Sequence, residues 1–141
     1  MIQITQQELD PQPITASVTR DRNGAVVTFL GTTRRISHGK IVLHLEYEAY
    51  EAMVLKELER ITLEVTSKWG IKDIAIAHRM GHLDIEDISL VVAVASPHRK
   101  EAFKACQYIV DRIKETVPIW KKEVFEDGEV WVGCQSHDHP E

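Results

Sequence analysis

Short apolar runs alternate along this chain with stripes of helical period. Ala25–Leu30 (Ala, Val, Val, Thr, Phe, Leu) reads as a buried strand that Gly31 ends. Ile88–Ala95 is the most continuous apolar run, interrupted only by Ser89, and predicts a strand covered on both faces. Ile41–Tyr47 alternates enough for a half-exposed strand, Ile74–His78 is strand-like, and Met1–Thr5 forms a short first strand. From Ala49 the period changes. Met53, Leu55, Leu58, Ile61, Leu63, Val65 and Trp69 predict a helix that Gly70 caps. A second helix starts with Ser96 as cap and Pro97 in the first helical position. Phe103, Cys106, Val110, Ile113 and Val117 recur three or four residues apart, Ala102 and Ile109 widen the stripe, and Pro118 stops it.

Turn chemistry fills the gaps. Asp10–Pro13 predicts a turn, Ile14–Val18 a short helix, and Asp84–Asp87 an acidic connection. Trp120–Phe125 and Val130–Cys134 read as a hairpin around Glu126-Asp127-Gly128-Glu129, because Asp-Gly favours tight turns. Gln135–Glu141 is a polar tail expected to fray. The order is strand, strand, helix, strand, strand, helix, hairpin. That predicts an α+β domain with a mixed or antiparallel sheet, and a single domain over 1–141.

Composition narrows the function classes. With 43% hydrophobic and 28% charged residues, the 141-residue chain has the balance of a soluble globular domain. Its formal charge of -5 argues against a nucleic-acid binder. No apolar run approaches the roughly 20 residues that cross a bilayer. The start lacks a basic stretch followed by an apolar one, so no membrane association and a cytoplasmic location are expected. Cys106 and Cys134 make neither a zinc signature nor a disulfide framework; buried or half-buried thiols are expected. His78 and His82 straddle a strand-to-turn change, and His137 and His139 lie in the tail. Neither a metal nor a resident cofactor is expected.

Basic residues carry the candidate chemistry. The loop Gly31–Lys40 holds Arg34, Arg35, Ser37 and His38 between two strands. His98 and Arg99 sit in the first turn of the second helix, where free amides and the helix dipole favour anions. On a helical wheel Arg99 falls on the apolar face and Lys114 at its border. Each either snorkels to water or is used in a site. Lys121 and Lys122 must point to opposite faces of a strand, and Glu123 returns to the face of Lys121. About 22 Å of helix separates Arg99 from Lys114. One small ligand cannot span that within one subunit. A symmetric dimer solves the problem, with His98 and Arg99 of one copy completing a pocket around Lys114 and Lys121 of the other.

These residues resemble the large-subunit family of molybdopterin synthase over nearly the whole chain. The blocks are Gly24–Gly31 followed by Arg34, Leu45–Tyr50, His78-Arg-Met-Gly81 with Leu83, Ser96-Pro-His-Arg99 with Ala102-Phe103, and Lys114 with Pro118–Glu123. The resemblance implies an α/β hammerhead with an added β-rich subdomain. It implies transfer of sulfur to a cyclic pyranopterin monophosphate, forming the molybdopterin dithiolene. The sulfur donor would be a small ubiquitin-like carrier with a C-terminal Gly-Gly thiocarboxylate, and the assembly a homodimer within a heterotetramer. Lys121 and Lys114 match the family's active-site lysines. Arg34, His98 and Arg99 match residues that hold the substrate, Lys122 and Glu123 match residues near it, and Phe29 and Val110 match pocket-lining positions. Val110 stands where some members have methionine. Glu86-Asp87 replaces a frequent Gly-Asp, and His82 a frequent acidic residue. The alternative is a noncatalytic scaffold of the same fold that binds an anion or the carrier.

Overall fold

The computed structural model describes residues 1–133. Cys134, His137, His139 and the tail from Gln135 lie outside the described residues. The elements run β1 (Ile2–Thr5), α1 (Pro11–Ala16), β2 (Ala25–Thr32), β3 (Ile36–Ser37), β4 (Lys40–Ala49) and α2 (Glu51–Trp69). They continue with β5 (Asp73–Arg79), β6 (Gly81–Asp84), β7 (Ile88–Ser96), α3 (Arg99–Thr116), β8 (Ile119–Phe125) and β9 (Gly128–Val132). This is the expected α+β class.

Two sheets divide the work. The first has the order β1-β5-β7-β2 and is mixed: β1 runs parallel to β5, and the remaining pairs are antiparallel. One of its faces packs Ile74, Ile76, Leu90, Val92 and Val94 against Val54, Leu58, Ile61 and Val65 of α2 and Ala105, Cys106, Ile109 and Ile113 of α3. The other carries small residues, Ala75, Ala77, Ala93 and Ala95, which leave room for Leu9, Ile14 and Val18 around α1. Covering both faces is what the unbroken apolarity of β7 anticipates. In the second sheet β4 pairs antiparallel with β3, β6 and β8, and β8 with β9. Its core is small: Val42, Leu45, Leu83 and Phe125. No helix among the described residues is long and apolar enough to cross a membrane.

Several boundaries differ from the sequence expectation, each for a physical reason. The first helix begins at Pro11, because the Asp10 carboxylate accepts from Gln12 N at 3.1 Å and Pro11 suits the first turn. Ser96 is not the cap of α3. It is the last residue of β7, paired with Ala25, and His98 holds the cap position without a side-chain bond. Pairing with β2 captures its main chain before the helix can. Phe103 is 62% exposed and not in the core, because Ala102, Ala105 and Cys106 define the buried face of α3. Leu63 and Met53 are likewise exposed on α2. The strand β6 lies partly in what reads as a polar turn. Leu83 is fully buried against β4 while His82 and Asp84 face outward, the alternation of a half-covered strand. Other expectations hold: Gly70 ends α2 at φ 68° with its N–H on Thr66 O, and Gly128 pairs with Phe125 in the expected hairpin.

Candidate active site

A cavity of about 380 Å³ lies where the two sheets meet beside the last turn of α3. Its apolar wall is Phe29 and Leu30 of β2, Leu90 of β7, Ile113 of α3, and Val117 and Ile119. The bend of β2 opens it. The pairing register with β7 shifts between Gly31 and Thr32, a bulge that turns the chain out of the sheet. Gly31 is suited to this place: a Cβ there would come within 3.3 Å of Phe29 Cε2 and 3.4 Å of Leu90 Cβ. Ser89 Oγ donates to Gly31 O at 3.2 Å. Thr33 N donates to Asp87 O at 3.0 Å and Glu86 N donates to Thr33 O at 2.7 Å, so the loop root is tied to the β6–β7 turn. Arg34, the next residue, lines the cavity.

Lys114 and Lys121 reach the same cavity from different elements. Lys114 occupies the last turn of α3, where a cation also complements the helix dipole. Pro118 then ends the helix, Ile119 N donates to Val117 O at 2.8 Å, and the chain enters β8. Strand alternation does the rest. Lys121 and Glu123 line the cavity, whereas Lys122 points away. Its Nζ lies 3.5 Å from both Glu46 Oε2 and Glu129 Oε2 and 5.4 Å from the centroid of the Trp131 ring. Partial desolvation opposes its charge, yet the carboxylates of Glu129 and Glu46 raise its pKa above the ordinary lysine value.

Sequence reasoning placed Ser37 in the candidate loop but missed the rest of the polar floor of this cavity. Ser37, Tyr47, His78 and Ser89 all line it. His78 is buried, with Nδ1 donating to Arg79 O at 2.9 Å and its ring edge-on to Tyr47 at 5.1 Å. Burial pulls its pKa down to about 4, so it is neutral at pH 7. The signal was present in two places: Ser89 is the single interruption of the β7 run, and His78 is a polar residue ending the apolar run of β5. Glu123 is 3% exposed, and His38 Nε2 sits 3.9 Å from its Oε1.

The structure thus brings Phe29, Arg34, Lys114, Lys121 and Glu123 together and leaves four named residues apart. His98 and Arg99 are exposed at the other end of α3. Val110 is packed in the main core, and Lys122 serves the outer face of β8. Cys106 is likewise a core group: burial pushes its thiol up to about 11.

A cleft that is apolar on one side and holds three cations and one carboxylate on the other suits an anionic small molecule kept from bulk water. Comparison with known proteins agrees. The profile of the family described as MoaE protein matches residues 4–116. The molybdopterin synthase catalytic subunit of Bacillus subtilis (strain 168) is 47% identical over 133 residues, covering 94% of this chain and 85% of that protein. The X-ray structure of molybdopterin synthase from Staphylococcus aureus superposes with TM-score 0.89 at 43% identity, covering 92% of this chain and 95% of that one. A chain from the complex of subunits 1 and 2 of the molybdopterin-converting factor of Helicobacter pylori 26695 superposes with TM-score 0.78, covering 99% of this chain and 93% of that one. At 21% identity it speaks for the fold alone. The chain belongs to the MoaE family.

Proposed function

We propose that this chain is the catalytic, sulfur-transferring subunit of a molybdopterin synthase, acting on a cyclic pyranopterin monophosphate. The observation that carries the reading is the convergence of Arg34 from the β2–β3 loop, Lys114 from α3 and Lys121 from β8 on one cavity, in a chain 47% identical to a molybdopterin synthase catalytic subunit. The sulfur arrives as the C-terminal Gly-Gly thiocarboxylate of a small ubiquitin-like carrier. One thiocarboxylate holds one transferable sulfur, so each dithiolene needs two loaded tails. A glycine tail has no side-chain bulk and fits a narrow entry, provided its main-chain polar groups find partners. The Helicobacter pylori chain comes from a two-subunit complex, so this fold is compatible with a protein partner.

In this reading Lys121 makes the more direct contact with the reacting atoms, and Lys114 stabilises the thiocarboxylate and the negative charge that develops on attack. Cations fixed beside a developing anion in a cleft partly shielded from water lower the barrier most. Arg34 holds substrate oxygens with its planar fork, and Phe29 packs against the ring or the tail. His98 and Arg99 belong to the pocket of a second copy, in a homodimer that two carriers extend to a heterotetramer. Two features support that assembly. Phe103 lies one helical turn beyond Arg99 and is exposed, as are Val26 and Leu30 on β2, an edge strand of its sheet.

The test is reconstitution. Purified chain, thiocarboxylated carrier and cyclic pyranopterin monophosphate should yield dithiolene. Wild type that binds the carrier but makes no product would point to the noncatalytic scaffold instead.

A further inference from the structure

The outer face of the second sheet, turned away from the cavity, carries a separate cluster of titratable side chains. Leu45 and Leu83 pair across β4 and β6 and are buried. Alternation therefore puts their neighbours His44, Glu46, His82 and Asp84 on the opposite, solvent-facing side. The register sets His44 opposite Asp84 and Glu46 opposite His82, so the two imidazoles meet on the diagonal. Their ring centroids lie 4.3 Å apart, with the planes 30° from parallel. Each ring is held by a carboxylate of its own strand. His44 Nε2 lies 3.1 Å from Glu46 Oε2, and His82 Nε2 lies 2.8 Å from Asp84 Oδ1. A carboxylate only accepts, so in both neutral rings the proton sits on Nε2 and Nδ1 keeps a lone pair. Among the described residues neither Nδ1 has a hydrogen-bond partner. Spacing along the chain set His82 beside His78 and gave no metal signature. The fold buries His78 and brings His44 to His82 instead.

We propose that His44 and His82 form a binding site for a divalent transition-metal ion, Cu²⁺ in preference to Ni²⁺ or Zn²⁺, which bridges β4 and β6 through the two Nδ1 atoms. A metal-bound imidazole is usually hydrogen-bonded to a carboxylate through its other nitrogen, because that bond fixes the tautomer and raises the basicity of the ligand. Both rings already have that arrangement. Two imidazoles on one ion at about 2 Å, roughly at right angles, hold their ring centres about 4.5 Å apart, and these stand at 4.3 Å. The broad χ2 torsion of histidine lets the rings turn their Nδ1 atoms onto a common ion. The surrounding charge favours a cation, since the carboxylates of Glu46, Asp84 and Glu129 outnumber the Lys122 amine. No group of three or more histidine, cysteine or carboxylate ligands converges among the described residues. The ion therefore takes two protein nitrogens and fills its other positions with water, an exchangeable site and not a closed structural one. Imidazole selects copper, nickel and zinc over magnesium, calcium and manganese, which prefer oxygen. Lys121 and Glu123 face the cavity on the other side of the sheet, so the inference stands apart from the pterin chemistry.

The experiment titrates the metal-stripped full chain with CuCl₂ and follows binding by calorimetry, electron paramagnetic resonance and the histidine ring signals in NMR. The variant His137→Gln/His139→Gln is titrated in parallel, to separate the two histidines near the C-terminus. Substoichiometric Cu²⁺ should broaden the ring protons of His44 and His82 before those of His78, and the copper signal should show coupling to two nitrogens. His44→Gln and His82→Gln should each weaken Cu²⁺ binding by at least about 10-fold. Asp84→Asn keeps both ligands but loosens the hold on one ring, so its loss should be smaller. Thermal melts without metal establish that the variants are folded. His137→Gln/His139→Gln should retain the site, and MnCl₂ should not compete for it. Unchanged Cu²⁺ affinity in both single-histidine variants overturns the proposal. So does loss of binding in His137→Gln/His139→Gln with the His44 and His82 signals left sharp. Binding of Mn²⁺ as tight as that of Cu²⁺ would assign the ion to the carboxylates and overturn it as well.

Discussion

The two sheets of this protein are built to different standards. The β1-β5-β7-β2 sheet is covered on both faces, and the main cluster joins it to two long helices. The second sheet has a buried cluster of four residues, yet it supplies Ser37, Tyr47, Lys121 and Glu123 to the cavity. The contrast separates stability from chemistry. Polar and charged groups out of water cost free energy. They are tolerated at the seam, where the well-packed sheet holds one wall rigid and the thinner sheet carries the reactive side chains. Two of the three buried oxygens without a partner among the described residues belong to Ser37 and Glu123 of the cavity lining, and the third to Glu101 of α3.

The largest expected effect that would break this division is on turnover. Lys121→Ala should lower dithiolene formation by at least about 100-fold while leaving the melting curve nearly unchanged. A folded Lys121→Ala variant of undiminished rate would remove the lysine from the chemistry. Lys114→Ala should also impair the rate severely, with the two rates compared in single-turnover assays.

Stability should answer in the opposite pattern. Ile109→Ala, at a fully buried position in the main cluster, should cost about 3–5 kcal/mol in denaturant unfolding. Leu83→Ala, equally buried but in the small cluster, should cost about 2–3 kcal/mol, because a thin layer collapses more readily around the lost side chain. Equal or reversed costs would show that the second sheet is as firmly packed as the first.

His78 joins the two regions and should make stability depend on pH. Its folded pKa, about 4, lies below the ordinary 6.5. Between these values the unfolded chain binds the extra proton, so stability is complete above pH 6.5, falls as pH drops, and stops falling below pH 4. At pH 5 the loss amounts to about 2 kcal/mol. Urea titrations of wild type and His78→Phe between pH 4 and 7 should diverge by this amount. Parallel curves would mean that the imidazole is not desolvated.

The smallest effect belongs to the turn that anchors the Arg34 loop. Glu86 adopts φ 76°, a region that favours glycine. Glu86→Gly should stabilise by no more than about 1 kcal/mol, since relief of strain is offset by the freedom of glycine in the unfolded chain. A clear fall in melting temperature would assign Glu86 a contact that outweighs its backbone strain.

Local pattern was enough for most of the elements. The 3.6-residue period marked α2 and α3, continuous apolarity marked β7, and Asp-Gly marked the β8–β9 hairpin, because each depends on residues close in sequence. Alternation also placed Lys121 and Glu123 on one side of β8 and Lys122 on the other. What escaped was decided at long range. Ser96 went to a strand and not a helix cap because β2 lay beside it. Gly81–Asp84 became a strand because β4 offered an edge. Phe103 stayed outside because the alanine-lined face of α3 met the sheet.

By itself, then, the sequence determined the class of fold, the family it resembles and five of the residues that share the cavity: Phe29, Arg34, Lys114, Lys121 and Glu123. Tertiary structure alone decided that Tyr47, His78 and Ser89 join Ser37 of the candidate loop in the polar floor and that Val110 and Lys122 do not line it. The physical reason is one of range. Periodicity records which face of an element is buried, but a cavity is made where several elements end together, and no local spacing encodes that meeting.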